Sequence, residues 1–487
     1  MKKMERILEH IEPQEVFSYF EDLTRIPRQS GNEKEVSDYL LVFAKQHGLA
    51  CERDKANNVL IRKPASTGYE THPGLILQAH MDMVCEKKDD VVFDFSKDPI
   101  RFSVDGDKII ARDTTLGADD GIGLALCLAV LADPDLQHPP LEFVATTDEE
   151  VGMLGIESFD FSKLQGSRVL NLDSDDEGVL IVGCAGGPVV RVELPIRRQA
   201  ADPAKTYYRL SVQGLLGGHS GEDIHRNRAN ANKLLARFLL ELGSVLSFDL
   251  AEVKGGVQYN AIPRYAEAIV GIAPEDEKTL YAEAEQFSRI FLEEYSLSDP
   301  GVNVLCETAD SPQTTLCEEA KMTVLEYMDL TQTGILRMDV HYPQFVESSV
   351  SLGVVRTEAE RAVMIVMTRS SRESQYEMMY KKIVRLTELY HGTYSVMSNC
   401  PAWEFDVRSE MVSIYKKVYH SLFGKAPSLM ILHAGIEVSE FARNMDRPMD
   451  MISTGPDVRC LHSPGEYVTI SSTQKVWTCL KKFIAAL

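Results

Sequence analysis

Residues 75–84 read LILQAHMDMV. The run is apolar up to His80, the pattern of a strand buried on both faces rather than one alternating between core and solvent. An imidazole and a carboxylate, His80 and Asp82, stand two apart where that strand ends. Working outward, two more short apolar runs follow, LEFVATT at 141–147 and RVLNL at 168–172. Between the first two lies DDGIGLALCLAVLAD, whose length and Ala/Leu content predict a buried helix. Upstream, NEKEVSDYLLVFAKQHG has helical apolar spacing, with Gly48 placed as a C-terminal cap. Buried strands alternating with helices over residues 1–186 predict an α/β sheet covered by helices on both faces.

Near 187 the texture changes. VVRVELPIRRQ and YYRLSVQG alternate like half-exposed strands, 226–243 reads as a helix, and strands are predicted near 256–272. A similar grouping recurs over about 301–399, including ILRMDVHY, RAVMIVMTRS and a helix at 373–391, without a strict sequence repeat. After about 400 the α/β texture returns, with a helix at 409–423, strands at 428–432 and 450–454, and a C-terminal helix. The economical reading is a discontinuous domain, 1–186 with 400–487, interrupted by an α+β insertion at 187–399 that could comprise two βαββ-like halves.

The 487 residues exceed one typical core, since domains usually take roughly 100–200 residues. A formal charge of −22 argues against nucleic-acid or anionic-membrane binding. The N-terminal stretch has no apolar signal core, and no segment approaches the roughly 18 apolar residues of a membrane span. Nine cysteines at irregular spacing, an odd total without a CxxC pair, argue against a disulfide framework and fit a reducing cytoplasm.

Further ionisable groups gather where the strands are predicted to end. Asp119 and Asp120 open the buried helix, Asp148, Glu149 and Glu150 follow LEFVATT, Asp173 follows RVLNL, and His462 lies in CLHSPGE. Taken singly, each has an ordinary structural explanation: a strand-end pair, a helix cap, an acidic turn, a loop histidine. Taken together they converge, because open α/β sheets gather function outside the carboxyl ends of their strands. Carboxylates so concentrated stay ionised only if cations neutralise them. Imidazoles among carboxylates suit Zn²⁺, Mn²⁺ or Co²⁺, and a metal pair can activate water for hydrolysis.

With IPRQSGNE, LQAHMDMVCEK, TTLGADDGIG, TTDEEVGMLG, NLDSDDEG, GCAGG, GLLGGHSGEDIH, NANKLL, NAIPR, HAGIE and HSPGE, the chain resembles the co-catalytic di-zinc aminopeptidase, carboxypeptidase and aminoacylase superfamily. Within it, the resemblance is to the aminoacyl-histidine dipeptidase branch, and it spans nearly the whole chain. It implies a mixed-sheet zinc-peptidase catalytic domain interrupted by a lid domain that also mediates homodimerisation. It implies two zinc ions, replaceable by Mn or Co: Asp119 bridges them, His80 and Asp173 complete one site, and Glu150 and His462 complete the other. Asp82 would orient His80, Glu149 would be the general base, and His219 would steady the oxyanion. Asn260, Arg369 and Gly435 would contact substrate. The implied substrate is a small peptide, a dipeptide of broad identity including Xaa-His such as β-alanyl-histidine. A tripeptidase, a carboxypeptidase and an N-acyl amino-acid deacylase are the enzyme alternatives; a metal-dependent scaffold without catalysis would lack a ligand or the base, and none is missing. Departures from the pattern bear on substrate preference: Val438 and Ser439 stand where relatives have Cys-Gly, Ser349-Val350-Ser351 replaces Ser-x-Asn, and Asp120 replaces Asn.

Overall fold

A computed structural model describes residues 6–487. The chain forms two compact units. One comprises the described residues through Gly183 together with Glu404–Ile431 and Ile436–Leu487; the other comprises Cys184–Trp403 with Leu432–Gly435.

The first unit is built on an eight-stranded mixed sheet, in the order Ala50–Arg53, Val59–Lys63, Leu141–Thr146, Leu75–His80, Arg168–Asn171, Asp450–Ser453, Val179–Cys184, Ser428–Leu432. Its centre is parallel: Leu75–His80 pairs with Leu141–Thr146 and with Arg168–Asn171, which pairs with Asp450–Ser453. Every residue of Leu75–His80, Leu141–Thr146 and Arg168–Asn171 is buried, so both faces of this centre are covered. The ladder aligns His80 with Thr146 and Gln78 with Asn171. The residues that follow these ends, Asp82, Glu149, Glu150 and Asp173, therefore leave the sheet on one edge.

The helix Ala118–Ala132 is almost wholly buried, as its apolar composition dictates, and packs on Leu75–His80. It ends at Asp133, ahead of Pro134, because the residue before a proline is driven to extended backbone. Its N-cap is Gly117, at φ 70°, where a Cβ would meet the Arg28 guanidinium and the Met83 sulfur. Asp119 and Asp120 have non-helical backbone, and neither side chain caps the helix. A four-stranded sheet, Val458–Arg459, Tyr467–Thr469, Lys108–Ile110, Ser103–Asp105, carries the loop bearing His462 between its first two strands.

The second unit has a nine-stranded antiparallel sheet with the helices Ala231–Val245, Glu277–Tyr295, Glu318–Leu330 and Glu373–Leu389. Two predicted boundaries need correction here. The helix expected from residue 226 begins at Ala231, because Asn227 is left-handed (φ 53°) and the Asn230 side chain accepts N–H bonds from Asn232 and Lys233 as the cap. The strand Phe248–Gly255 lies before the predicted 256–272 region; a bulge between Leu250 and Glu252 breaks the alternation that would have marked it.

Candidate metal centre

The central strand ends, the start of the helix Ala118–Ala132 and the loop after Val458–Arg459 bring His80, Asp119, Glu149, Glu150, Asp173 and His462 together. Ligand atoms in each of three groups, His80–Asp119–Asp173, His80–Glu149–Glu150 and Asp119–Glu150–His462, lie within 4.8 Å of one another. Asp119 divides its carboxylate. Oδ1 is 3.1 Å from His80 Nε2, and Oδ2 is 3.2 Å from His462 Nε2. His80 Nε2 is also 3.7 Å from Asp173 Oδ1, and His462 Nε2 is 3.1 Å from Glu150 Oε2.

Asp82 organises the ground beneath. Its Oδ1 accepts from the Glu149 amide (3.1 Å); its Oδ2 accepts from the Glu150 amide (3.1 Å) and the Ser30 hydroxyl (2.7 Å). His80 Nδ1 stands 3.4 Å from Asp82 Oδ1, a looser contact than an ordinary hydrogen bond. Asp120 points inward: its Oδ2 accepts from the His80 amide at 3.2 Å.

The charge balance points to cations. The carboxyls of Asp82, Asp119, Asp120, Asp173, Glu149 and Glu150 outnumber the two imidazoles. Burial opposes charging of His80, but Asp173, Asp119 and Asp82 outweigh it and raise its pKa well above the usual value. Hydrogen bonds to Asp119 and Glu150 push His462 up to about 10. Burial raises Asp173 strongly and pushes Glu149 up to about 7. Asp119 is held low despite burial, by His462 and His80. Without metal the cluster must therefore take up protons, which a metal would displace. Glu150 Oε1 and His80 Nδ1 are buried without a hydrogen bond, so lone-pair capacity is left over. This mixed imidazole and carboxylate set fits a pair of first-row divalent ions.

His219, Asn260, Arg369 and Gly435 lie in the second unit. Gly218–His219 pairs with Ala261–Ile262, and the Ser220 amide donates to the Asn260 carbonyl at 2.7 Å. Arg369, 5% exposed, has Nη2 at 3.4 Å from His219 Nε2 and a buried Nε without a hydrogen bond. Burial, then the neighbouring Arg369 charge, lowers His219 to about 4, leaving it neutral at ordinary pH.

The sequence reading missed four buried residues. His433 packs Nε2 at 2.7 Å on Ser349 Oγ, and Ser349 is the cross-strand partner of Arg369. Glu437 Oε2 accepts from Thr146 (2.7 Å) and from Gln78, whose Oε1 accepts from Asn171. Arg28 and Glu466 hold the loop that carries Asp119. Each of the four belongs to a stretch quoted above, IPRQSGNE, HAGIE or HSPGE, yet none shows its partner in the local pattern.

The chain belongs to peptidase family M20/M25/M40, which matches residues 76–486. It is 35% identical over 477 residues to the cytosol non-specific dipeptidase of Escherichia coli, covering 98% of each chain. The crystal structure of aminoacylhistidine dipeptidase from Vibrio alginolyticus superposes with a TM-score of 0.91 at 33% identity, covering 100% of this chain and 99% of that one. A tripeptidase from Staphylococcus aureus shares the fold, with a TM-score of 0.56 at 15% identity over 98% of both chains. The mixed α/β fold and the peptidase resemblance read from the sequence are thereby established. No described helix is long and apolar enough to cross a membrane.

Proposed function

We propose that this chain is a cytoplasmic di-zinc dipeptidase of broad specificity that accepts Xaa-His substrates such as β-alanyl-histidine. The observation that carries the reading is the divided Asp119 carboxylate, one oxygen toward each imidazole, with Glu149 beside it. His80, Asp119 and Asp173 would hold one ion, and Asp119, Glu150 and His462 the other. When bound, the ions polarise the scissile carbonyl and lower the pKa of water. Manganese or cobalt could replace zinc.

Glu149 acts as general base. It takes a proton from the attacking water and returns it to the leaving amine. Asp82 fixes the backbone of Glu149 and Glu150 while facing His80. The second unit acts as a lid and as the dimerisation surface of a homodimer. From it the neutral His219 donates to the developing oxyanion. Arg369 and Asn260 hold the substrate carboxylate and backbone, and Gly435 allows close approach.

The dipeptide preference is supported by the names of the two similar dipeptidases and by their nearly full coverage of the chain. The test is a panel of dipeptides, with and without C-terminal histidine, against tripeptides and N-acetyl amino acids, using zinc-reconstituted protein. Dipeptides should be hydrolysed, β-alanyl-histidine among them. Hydrolysis of only the longer or acylated substrates would overturn the reading.

A further inference from the structure

The loop leading to the shared carboxylate is held by a residue outside the ligand set. Glu466 is 2% exposed. Its Oε2 accepts backbone N–H bonds from Leu116 (2.7 Å) and Gly117 (3.0 Å), and its Oε1 from Ala118 (2.7 Å) and Asp119 (3.2 Å). The Gly117, Ala118 and Asp119 groups are orphan donors at the start of a helix whose cap residue, Gly117, has no side chain to accept them. The backbone of Glu466 is fixed in turn, its carbonyl accepting from Ala111 at 3.1 Å. On the other side of the loop, Arg28 donates to the Gly117 carbonyl and to those of Met81 (2.9 Å) and Asp82 (3.0 Å).

The two candidate ligand groups share Asp119 and differ in what supports their other members. His80 ends a fully buried strand, and Asp173 lies two residues beyond a strand paired with it. His462 is 51% exposed at its side chain, has a left-handed backbone (φ 56°), and sits in the connection between Val458–Arg459 and Tyr467–Thr469. Glu466 follows it by four residues and bonds directly to the Asp119 loop.

We propose that Glu466 is the positioning residue of the Asp119–Glu150–His462 group. It ties the His462 loop to the Asp119 loop, so that this group's affinity for its ion depends on the tie. The claim rests on the reading of these residues as metal ligands given above.

Glu466→Gln preserves shape but replaces one acceptor oxygen with an NH₂ that meets two N–H donors. Losing a partner behind a ligand costs about 10- to 100-fold in metal affinity. The experiment titrates metal-free wild type, Glu466→Gln and His462→Ala with Co²⁺, following visible absorption and heat. Wild type should take two equivalents. Glu466→Gln should take both, the first weakened less than the second, which falls about 10- to 100-fold, with His462→Ala weakened at the same step. Two unchanged equivalents would overturn the proposal, and so would equal weakening of both. Should Glu466→Gln not fold, Glu466→Asp, which withdraws the carboxylate by one methylene, is read by the same outcomes. A wild-type chain that binds no Co²⁺ would overturn the metal reading on which both proposals rest.

Discussion

Replacing Asp82 by Asn changes one atom and tests whether the carboxylate beneath the cluster organises it. Asp82 meets four groups, the Glu149 and Glu150 amides, the Ser30 hydroxyl and His80 Nδ1. The new NH₂ must occupy one of the two oxygen positions. At Oδ2 it faces the Glu150 N–H, and at Oδ1 it faces the Glu149 N–H and His80 Nδ1. Either way one backbone donor loses a charged acceptor, a bond worth about 1.5–3 kcal/mol. If that loss falls on the metal-loaded geometry, affinity drops roughly 10- to 100-fold, in line with other residues that support metal ligands. The bonds from the Arg28 guanidinium reach only the backbone carbonyls of Met81 and Asp82 and stay in place. The assay is competition calorimetry against a chelator on wild type and Asp82→Asn, with kcat and KM measured on a dipeptide at saturating metal. Affinity within threefold of wild type would refute this account of Asp82.

Two further outcomes follow from burial. Glu437 is fully buried and pushed up to about 8 from an ordinary 4.5, burial first and Glu149 second, so the folded chain keeps a proton that the unfolded chain has released between those values. Stability of the metal-free protein should therefore fall as pH rises through that window, by up to about 1.4 kcal/mol per unit. Glu437→Gln keeps an acceptor for Gln78 and Thr146, so its stability relative to wild type in urea melts should rise between pH 5.5 and 8; parallel pH profiles would contradict this. Leu126 is fully buried in the helix Ala118–Ala132. Leu126→Ala should cost about 2–5 kcal/mol in denaturant unfolding, and a cost below about 1 kcal/mol would contradict the packing described.

What the sequence made legible follows from the range of each interaction. The central strands could be read because burial on both faces leaves unbroken apolar runs, and the residues gathered beyond them because the ladder aligns the ends of Leu75–His80, Leu141–Thr146 and Arg168–Asn171. The strand Phe248–Gly255 was hidden by its bulge, and the true helix start by the Asn230 cap four residues inside a helix-compatible stretch. Arg28, Glu437 and Glu466 left no local trace, because each is defined by partners far along the chain: Met81 and Gly117 for Arg28, Gln78 and Thr146 for Glu437, Leu116 to Asp119 for Glu466. His433 was passed over because its partner Ser349 is on a distant strand.

The central claim is that the strand-end cluster holds two ions while Glu149, beside them, moves the proton. Glu149→Gln tests it most directly, with metal content and turnover measured on the same preparation. The account predicts two metal ions per chain, as in wild type, and a kcat lower by about 10²- to 10⁴-fold. Retained turnover, or loss of a metal ion, would contradict it.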